Sequence, residues 1–449
     1  MTRRIVNHTD TPAKISNYSV ARYFDSAYMA AEWTSVWRQS WLLAGLVSDV
    51  QSPGDYFVFD IGREQILVTR TANGEVQGFY NVCQHRGNRL VNEALGSTSS
   101  FRCAYHAWTY DLNGALSVVP YQERFADGVP CAERSLKKVH TQVWDGFVFC
   151  CLADDPPSLT DYLGPLVQQL APYRFGDMTL VEDQTVTHRC NWKAVIDNFS
   201  ELYHVDFLHP QHKRMVDCCN DTVHLFNNGH TGLEVPGATV NPRFPVPELP
   251  TDIQSAQLTS LGLNPQDFRG RVLDVREAVQ RRKRQIGSEE IREETPEETP
   301  ENKTIDYSGF SDDQLSDVWQ FNLFPNVILS FTPEHCWVMR ARPHAQDPQR
   351  CEFDKLTLLG QQNIAGPGRL AGQNAIRVDA NSERPKRDVF DHLAIVAGEK
   401  TMTDTIDQDI ELLGGVQVGM TSAGIDSVWL NDDEMRVQHF HNELDRLIG

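Results

Sequence analysis

A chain of 449 residues with 61 acidic and 41 basic side chains carries a formal charge of −20, which argues against nucleic acid or an anionic membrane surface as a partner. An apolar fraction of 40% suffices for two or three packed domains, and no apolar run approaches the roughly 18 residues of a membrane span. Ten cysteines behind a polar N-terminus with no apolar signal core read as thiols and metal ligands of a cytoplasmic protein, not as a disulfide framework.

In chain order, the apolar spacing of S-A-Y-M-A-A-E-W-T-S-V-W-R-Q-S-W at 26–41 predicts a helical lead-in over residues 1–40. Over residues 41–155 the pattern changes to short β runs: Y-F-V-F-D from Tyr56, Q-I-L-V-T-R from Gln65 and G-F-V-F-C from Gly146. Turns at Ala72-Asn73-Gly74 and Leu112-Asn113-Gly114 separate such runs, so this segment is expected to be a small all-β domain. Asp154-Asp155-Pro156-Pro157-Ser158 reads as a linker, and residues 156–449 mix helix and strand, giving an α+β chain overall. Within that second domain, the apolar run from Val318 to Phe331 reads as a core strand. The acidic, proline-broken stretch from Ser288 to Lys303 reads as a mobile insertion near residues 285–305.

Two constellations carry chemistry. The first is Cys83-Gln84-His85 and, after seventeen residues, Cys103-Ala104-Tyr105-His106. Two loops that each offer one thiolate and one imidazole suit a [2Fe–2S] cluster whose cysteines hold one iron and whose histidines hold the other. Exchanging two thiolates for neutral imidazoles raises the reduction potential and makes the cluster a ready electron acceptor. A structural zinc site is the alternative for any Cys2His2 set, although zinc fingers favour C-x-x-C with H-x3-5-H. Tyr105 and Trp108 are placed to shield such a cluster, as core aromatics would be.

The second is N-W-K-A-V-I-D-N-F-S-E-L-Y-H-V-D-F-L-H-P-Q-H, residues 191–212. His204 and His209 stand five apart, with Glu201 one helical turn earlier and Asn198 another turn back, so three polar groups are expected on one helix face. Two histidines with a distant carboxylate make a facial triad with open positions, as a non-haem iron that activates oxygen requires. A five-residue offset does not repeat on a helix, so the helix is expected to end or distort before Pro210.

With both constellations, the chain resembles the large (α) subunit of Rieske non-haem iron aromatic-ring-hydroxylating oxygenases, over nearly its whole length. Residues 191–209 match that family's N-W-K-x3-[DE]-N-x2-[DE]-x-Y-H-x4-H. The resemblance implies a Rieske domain followed by a helix-grip catalytic domain, with His204, His209 and a late aspartate holding Fe(II). In D-I-E-L-L-G-G-V-Q-V-G-M the family's Q-x-G-[LM] element points to Asp409, with Asp407 and Asp404 as competitors. Asn198 and Glu201 are carried over as catalytic residues, and Cys83, His85, Cys103 and His106 as cluster ligands. In the family's C-P-Y-H-G-W, Ala104 and Ala107 replace proline and glycine here, a change to loop conformation and not to ligands. Glu201, where relatives with a small β subunit often have Asp, suggests a homotrimer of α subunits alone.

The resemblance further implies electrons from NAD(P)H through a separate reductase, with or without a ferredoxin, and O2 as cosubstrate. In the family those electrons reach the iron from the cluster of a neighbouring subunit. Hydroxylation or oxidative demethylation of an aromatic or alicyclic compound is the leading expectation, with Phe207, Leu208, Met215 and Leu225 as a candidate apolar lining. The alternatives are an oxygenase of quaternary ammonium compounds and a Rieske electron-transfer protein without oxygenase chemistry. His212, His224, His230, His439, His441 and the Cys218-Cys219 pair are expected to be structural or surface groups.

Overall fold

In the computed structural model, which describes residues 3–9, 16–129, 131, 133–290, 305–360 and 383–449, the chain divides into two compact units. One comprises Ala31–Gly164 with His344–Gln346, and the other Met1–Ala30, Pro165–Pro343 and Asp347–Gly449.

The first unit is built from strands whose aromatic and β-branched residues alternate with polar ones, as in Asp55–Ile61, where Phe57, Phe59 and Ile61 are buried and Asp60 is exposed. Seven strands pair antiparallel in the order Leu42–Leu46, Phe147–Cys151, Lys138–Trp144, Val76–Tyr80, Glu64–Arg70, Asp55–Ile61, Leu95–Ser97. A second sheet of Leu116–Val118, Thr109–Tyr110 and Phe101–Arg102 stands beside the metal-motif loops. Leu67, Phe79, Phe101, Trp108 and Tyr110 form one apolar cluster with Cys83 and Cys103, so the thiols are anchored in the core.

The second unit centres on a nine-stranded sheet in the order Arg4–His8, Thr222–Phe226, Thr231–Val235, Val318–Leu323, Val327–Thr332, His335–Pro343, Cys351–Leu359, Thr179–His188, Asp388–Asp391. It is antiparallel except at its two edge strands, each of which pairs in parallel. Four helices matter for function: α1, Trp192–Asn198; α2, Val205–Leu208; α3, Asp404–Met420; and α4, Met435–Ile448. On α4, Arg436 to His441 are all buried, so its first turns are enclosed on every side, and beyond them Leu444 continues the apolar stripe of Val437 and Phe440. Among the described residues no helix is long and apolar enough to cross a membrane.

Three expectations are corrected. Among the described residues the lead-in is α-helical over Ser26–Glu32 and runs into a wider helical turn at Trp33–Trp37, with a short 3-10 turn before it at Val20–Tyr23; Arg4-Ile5-Val6-Asn7-His8 is instead a strand paired with Thr222–Phe226. The run from Val318 to Phe331 is not one strand but a hairpin, because Phe324-Pro325-Asn326 forms its turn and Pro325 has no N–H for a ladder. The helix Val275–Glu290 takes in the first three residues of the acidic stretch; positions 291–303 of that stretch lie outside the described residues.

Candidate metal centres

The two loops of the β unit are built alike. Cys83 N–H donates to Asn88 O at 2.8 Å and Gly87 N–H returns to Cys83 O at 3.0 Å; Cys103 N–H donates to Trp108 O at 2.8 Å and Ala107 N–H returns to Cys103 O at 3.0 Å. Each loop turns back through a left-handed residue, Gly87 at φ 77° and Ala107 at φ 57°. Glycine takes that conformation freely, whereas Cβ crowding makes it cost about 1 kcal/mol for alanine. Ala107→Gly is therefore expected to raise stability by about 1 kcal/mol without changing the ligands, read as a shift in the denaturant midpoint of the β unit.

Within these loops the His85 and His106 rings meet edge to face at 4.6 Å, and His85 stacks on Trp108 at 4.8 Å. The Nδ1 of His85 is buried and has no hydrogen-bond partner. Such an atom is costly unless something else binds it. Burial pushes the Cys83 thiol up, and the Tyr110 hydroxyl lies 3.5 Å from its sulfur. Burial also acts on Cys103, but the N–H groups of Tyr105 and His106 aimed at its sulfur outweigh it and hold the thiol below its ordinary range. These are the donor types and the orphaned atom that a [2Fe–2S] cluster would satisfy. Zinc fits poorly, since a tetrahedral ion draws its four donor atoms to within about 4 Å of one another. Among the described residues, the one set of three or more such donors within 4.8 Å of each other is elsewhere. His106→Cys is expected to alter or abolish the Rieske absorption and EPR spectrum, and an unchanged spectrum would remove His106 from the cluster.

That other set is His204, His209 and Asp409. The expected single helix face is not there. α1 stops at Asn198, the chain turns through Phe199–Tyr203, and α2 begins only after His204, ending before His209 and Pro210. The break lets two histidines five residues apart converge, their rings edge to face at 5.1 Å. Glu201 brackets the turn: one carboxylate oxygen accepts from His204 Nδ1 at 2.5 Å and the other from the His204 backbone N–H at 3.1 Å.

Asp409 arrives from α3. It is 1% exposed and lies on the buried stripe of Ile406, Ile410, Leu413 and Gln417. His209 Nε2 lies 3.2 Å and His204 Nε2 3.6 Å from Asp409 Oδ1. A carboxylate and an amide oxygen can only accept, so the Nδ1 atoms facing Glu201 and Gln408 carry the hydrogens, and in the neutral imidazoles both Nε2 atoms present lone pairs. Lone pairs on two imidazoles and a buried, donorless carboxylate oxygen converge, an arrangement that a cation between them would stabilise. Burial alone would lower the His204 pKa, but the Glu201 hydrogen bond and the charges of Glu201 and Asp409 raise it, so the site favours positive charge. The competitors are placed differently: Asp407 accepts from Thr401 Oγ1 and Met402 N–H, and Asp404 is exposed.

The scaffold explains other motif residues. Asn191 caps α1, and its N–H donates at 2.7 Å to Gln417, which ties the ligand turn to α3. Asp197 accepts from His441 Nε2 at 2.9 Å and from Tyr23, so His441 is structural. His439 Nε2 donates to Phe226 O at 2.7 Å. The buried Arg436 donates to Asn322, which donates at 2.6 Å to the Ser200 hydroxyl just ahead of Glu201. Asn198 Nδ2 is buried and has no hydrogen-bond partner. The expected apolar lining is only partly placed: Phe207 is 78% exposed and packs on Tyr203, and Leu225 is a buried residue of the sheet itself, clustered with Val223, Leu233 and Val235 of the same two strands. Burial holds the His212 pKa down at about 4, helped by His209 and opposed by Asp409, which leaves its ring neutral. The hydrogen-bond partner of His209, Gln408, carries no metal-ligand signature in the sequence and was not anticipated.

A cluster-type domain of paired Cys/His loops, together with a sheet-and-helix unit holding a two-histidine, one-carboxylate triad, is the architecture of a Rieske oxygenase large subunit. Residues 40–139 match the Rieske [2Fe-2S] domain and residues 175–449 the ring hydroxylating alpha subunit (catalytic domain); the chain belongs to that family. It is 34% identical over 189 residues to the glycine betaine monooxygenase oxygenase subunit of Chromohalobacter salexigens, and 34% over 196 residues to the naphthalene 1,2-dioxygenase large oxygenase component of Pseudomonas fluorescens. These matches take 42% of this chain and span 42% and 44% of the two relatives, less than half of either. In fold it is similar to the quaternary ammonium Rieske monooxygenase CntA bound to L-carnitine, with TM-score 0.66, 16% identity and 96% of each chain covered. It is likewise similar to naphthalene 1,2-dioxygenase with indole bound, with TM-score 0.65, 16% identity and 98% and 94% covered.

Proposed function

We propose that this chain is the terminal oxygenase of a multicomponent system, with residues 41–155 as its Rieske domain and residues 156–449 as its catalytic domain. The observation that carries the reading is the convergence of His204 Nε2, His209 Nε2 and Asp409 Oδ1 in a protein that also has the paired Cys/His loops. Cys83, His85, Cys103 and His106 would hold a [2Fe–2S] cluster, and the triad a mononuclear Fe(II). When bound, the two centres supply single-electron storage and oxygen activation.

The protein's part is to hold and orient. Glu201 fixes the His204 tautomer, and the α1–α2 break presents both imidazoles to one side. Three protein ligands on one side leave room for O2 and substrate on the other. Electrons would come from NAD(P)H through a reductase, with or without a ferredoxin, and Glu201 favours a homotrimer.

The substrate we assign is an aromatic or alicyclic compound that is hydroxylated or oxidatively demethylated, a reading supported by the naphthalene dioxygenase relatives. A quaternary ammonium substrate is the second reading, favoured by the glycine betaine monooxygenase relatives. Both are tested by one screen with a surrogate reductase in which product, not oxygen uptake, is measured, because uncoupled turnover also consumes oxygen. Iron analysis accompanies it: an oxygenase carries about three irons per chain, two in the cluster and one in the triad, whereas a bare electron carrier holds two. Two irons and no product from either substrate class would overturn the proposal.

A further inference from the structure

We propose that Gln408 is the positioning residue of His209, and that with Gln211 and Thr405 it latches the histidine turn onto α3. The inference rests on reading the triad as a metal site and goes beyond it. His209 Nδ1–H donates to Gln408 Oε1 at 2.7 Å. The same oxygen accepts from Gln211 Nε2 at 3.0 Å, and Gln211 also reaches Thr405 Oγ1 at 3.3 Å. One residue further on, His212 Nε2 lies 2.6 Å from that hydroxyl. Three polar residues of the turn, His209, Gln211 and His212, are thus held by two residues in the first turns of α3.

The placement of Gln408 beside Asp409 gives this latch its effect. Successive side chains on a helix diverge by roughly 100°, so Asp409 faces the His209 Nε2 lone pair while Gln408 holds Nδ1 from the flank. The imidazole is bracketed by adjacent residues of one helix. That fixes its tautomer and plane, and couples a ligand turn to a carboxylate two hundred positions later in the chain. The two histidines are supported unequally: His204 by a carboxylate and His209 by a neutral amide. Gln408 thereby orients His209 without adding a third negative charge to a site that already has Asp409 and Glu201.

If Gln408 only stabilised a surface turn, its loss would lower thermal stability and leave metal affinity in proportion. The test uses the full-length, cluster-containing protein after chelation of the mononuclear metal, titrated with Co(II) and followed by visible absorption. Gln408→Leu is expected to raise the Co(II) Kd roughly 10–100-fold and to shift the ligand-field bands, with the cluster spectrum unchanged and Tm lowered by only about 2–4 °C. Gln408→Glu, which keeps an acceptor oxygen at the same reach, should restore binding. Gln211→Ala, which leaves the His209 bond in place, should weaken it only a few-fold. Parent affinity in Gln408→Leu, or Gln408→Glu binding as weakly as Gln408→Leu, would overturn the assignment. Should Gln408→Leu not fold, the Gln211→Ala and Gln408→Glu titrations decide: affinity lost in both overturns it. A parent protein with an intact cluster that took up no Co(II) would instead strike at the triad itself.

Discussion

Asp409→Ala is expected to lower iron from about three per chain to about two, abolish product formation and leave the Rieske spectrum intact. The expectation follows from geometry. Asp409 supplies the one carboxylate oxygen facing both His Nε2 atoms, and nothing else in the set can replace its charge. Two neutral imidazoles alone leave the cation with two ligands and no neutralising charge, so occupancy should fall with the carboxylate. Asp407→Ala is the discriminating control. Its carboxylate is spent on Thr401 and Met402 at the start of α3, so that variant should keep its third iron and lose only some stability. Iron retained in Asp409→Ala and lost in Asp407→Ala would reverse the choice between them.

That choice was open in sequence for a physical reason. A helix rich in carboxylates shows several ligand candidates, and only the family element that begins eight residues on, at Gln417, singled out Asp409. A second signal was present: Ile406, Ile410, Leu413 and Gln417 define the covered stripe of α3, and of the three aspartates only Asp409 falls on it. The cluster loops were legible because ligand type and spacing are local properties, as was the need for a break before Pro210. The location of that break was not, since Phe199–Tyr203 has no glycine or proline and its turn is set by Glu201 bonding to His204. Gln408 was illegible for the opposite reason: an uncharged amide on a helix has many uses, and its partner is two hundred residues away. The strand at Arg4–His8 was hidden by a helical pattern that begins only at Ser26.

The second large effect concerns Glu201. In the proposed trimer the electron would pass from the cluster of one subunit to the iron of its neighbour, and Glu201 would join His204 to the cluster histidine of the adjacent copy that corresponds to His106. Both its oxygens already serve His204, one through the ring and one through the backbone N–H. A carboxylate oxygen has two lone pairs, so each retains capacity for a further donor, and the side chain is still 11% exposed. His106 is itself only partly buried, beside Tyr105, which is 57% exposed, so a donor of the right kind stands at the surface of the β unit. A carboxylate that only orients His204 would account for the same two bonds, and the two readings separate by experiment. Glu201→Gln keeps size and one acceptor oxygen, and should therefore preserve the fold, the cluster and most of the bound iron. Oxidation of the prereduced cluster, in the presence of substrate and O2, is expected to slow roughly 10–100-fold. Stopped-flow absorption of the cluster reads that rate directly, and size-exclusion chromatography of the same sample reads the trimer. A variant whose cluster reoxidises at the parent rate, or a parent protein fully active as a monomer, would confine Glu201 to holding the His204 ring in place.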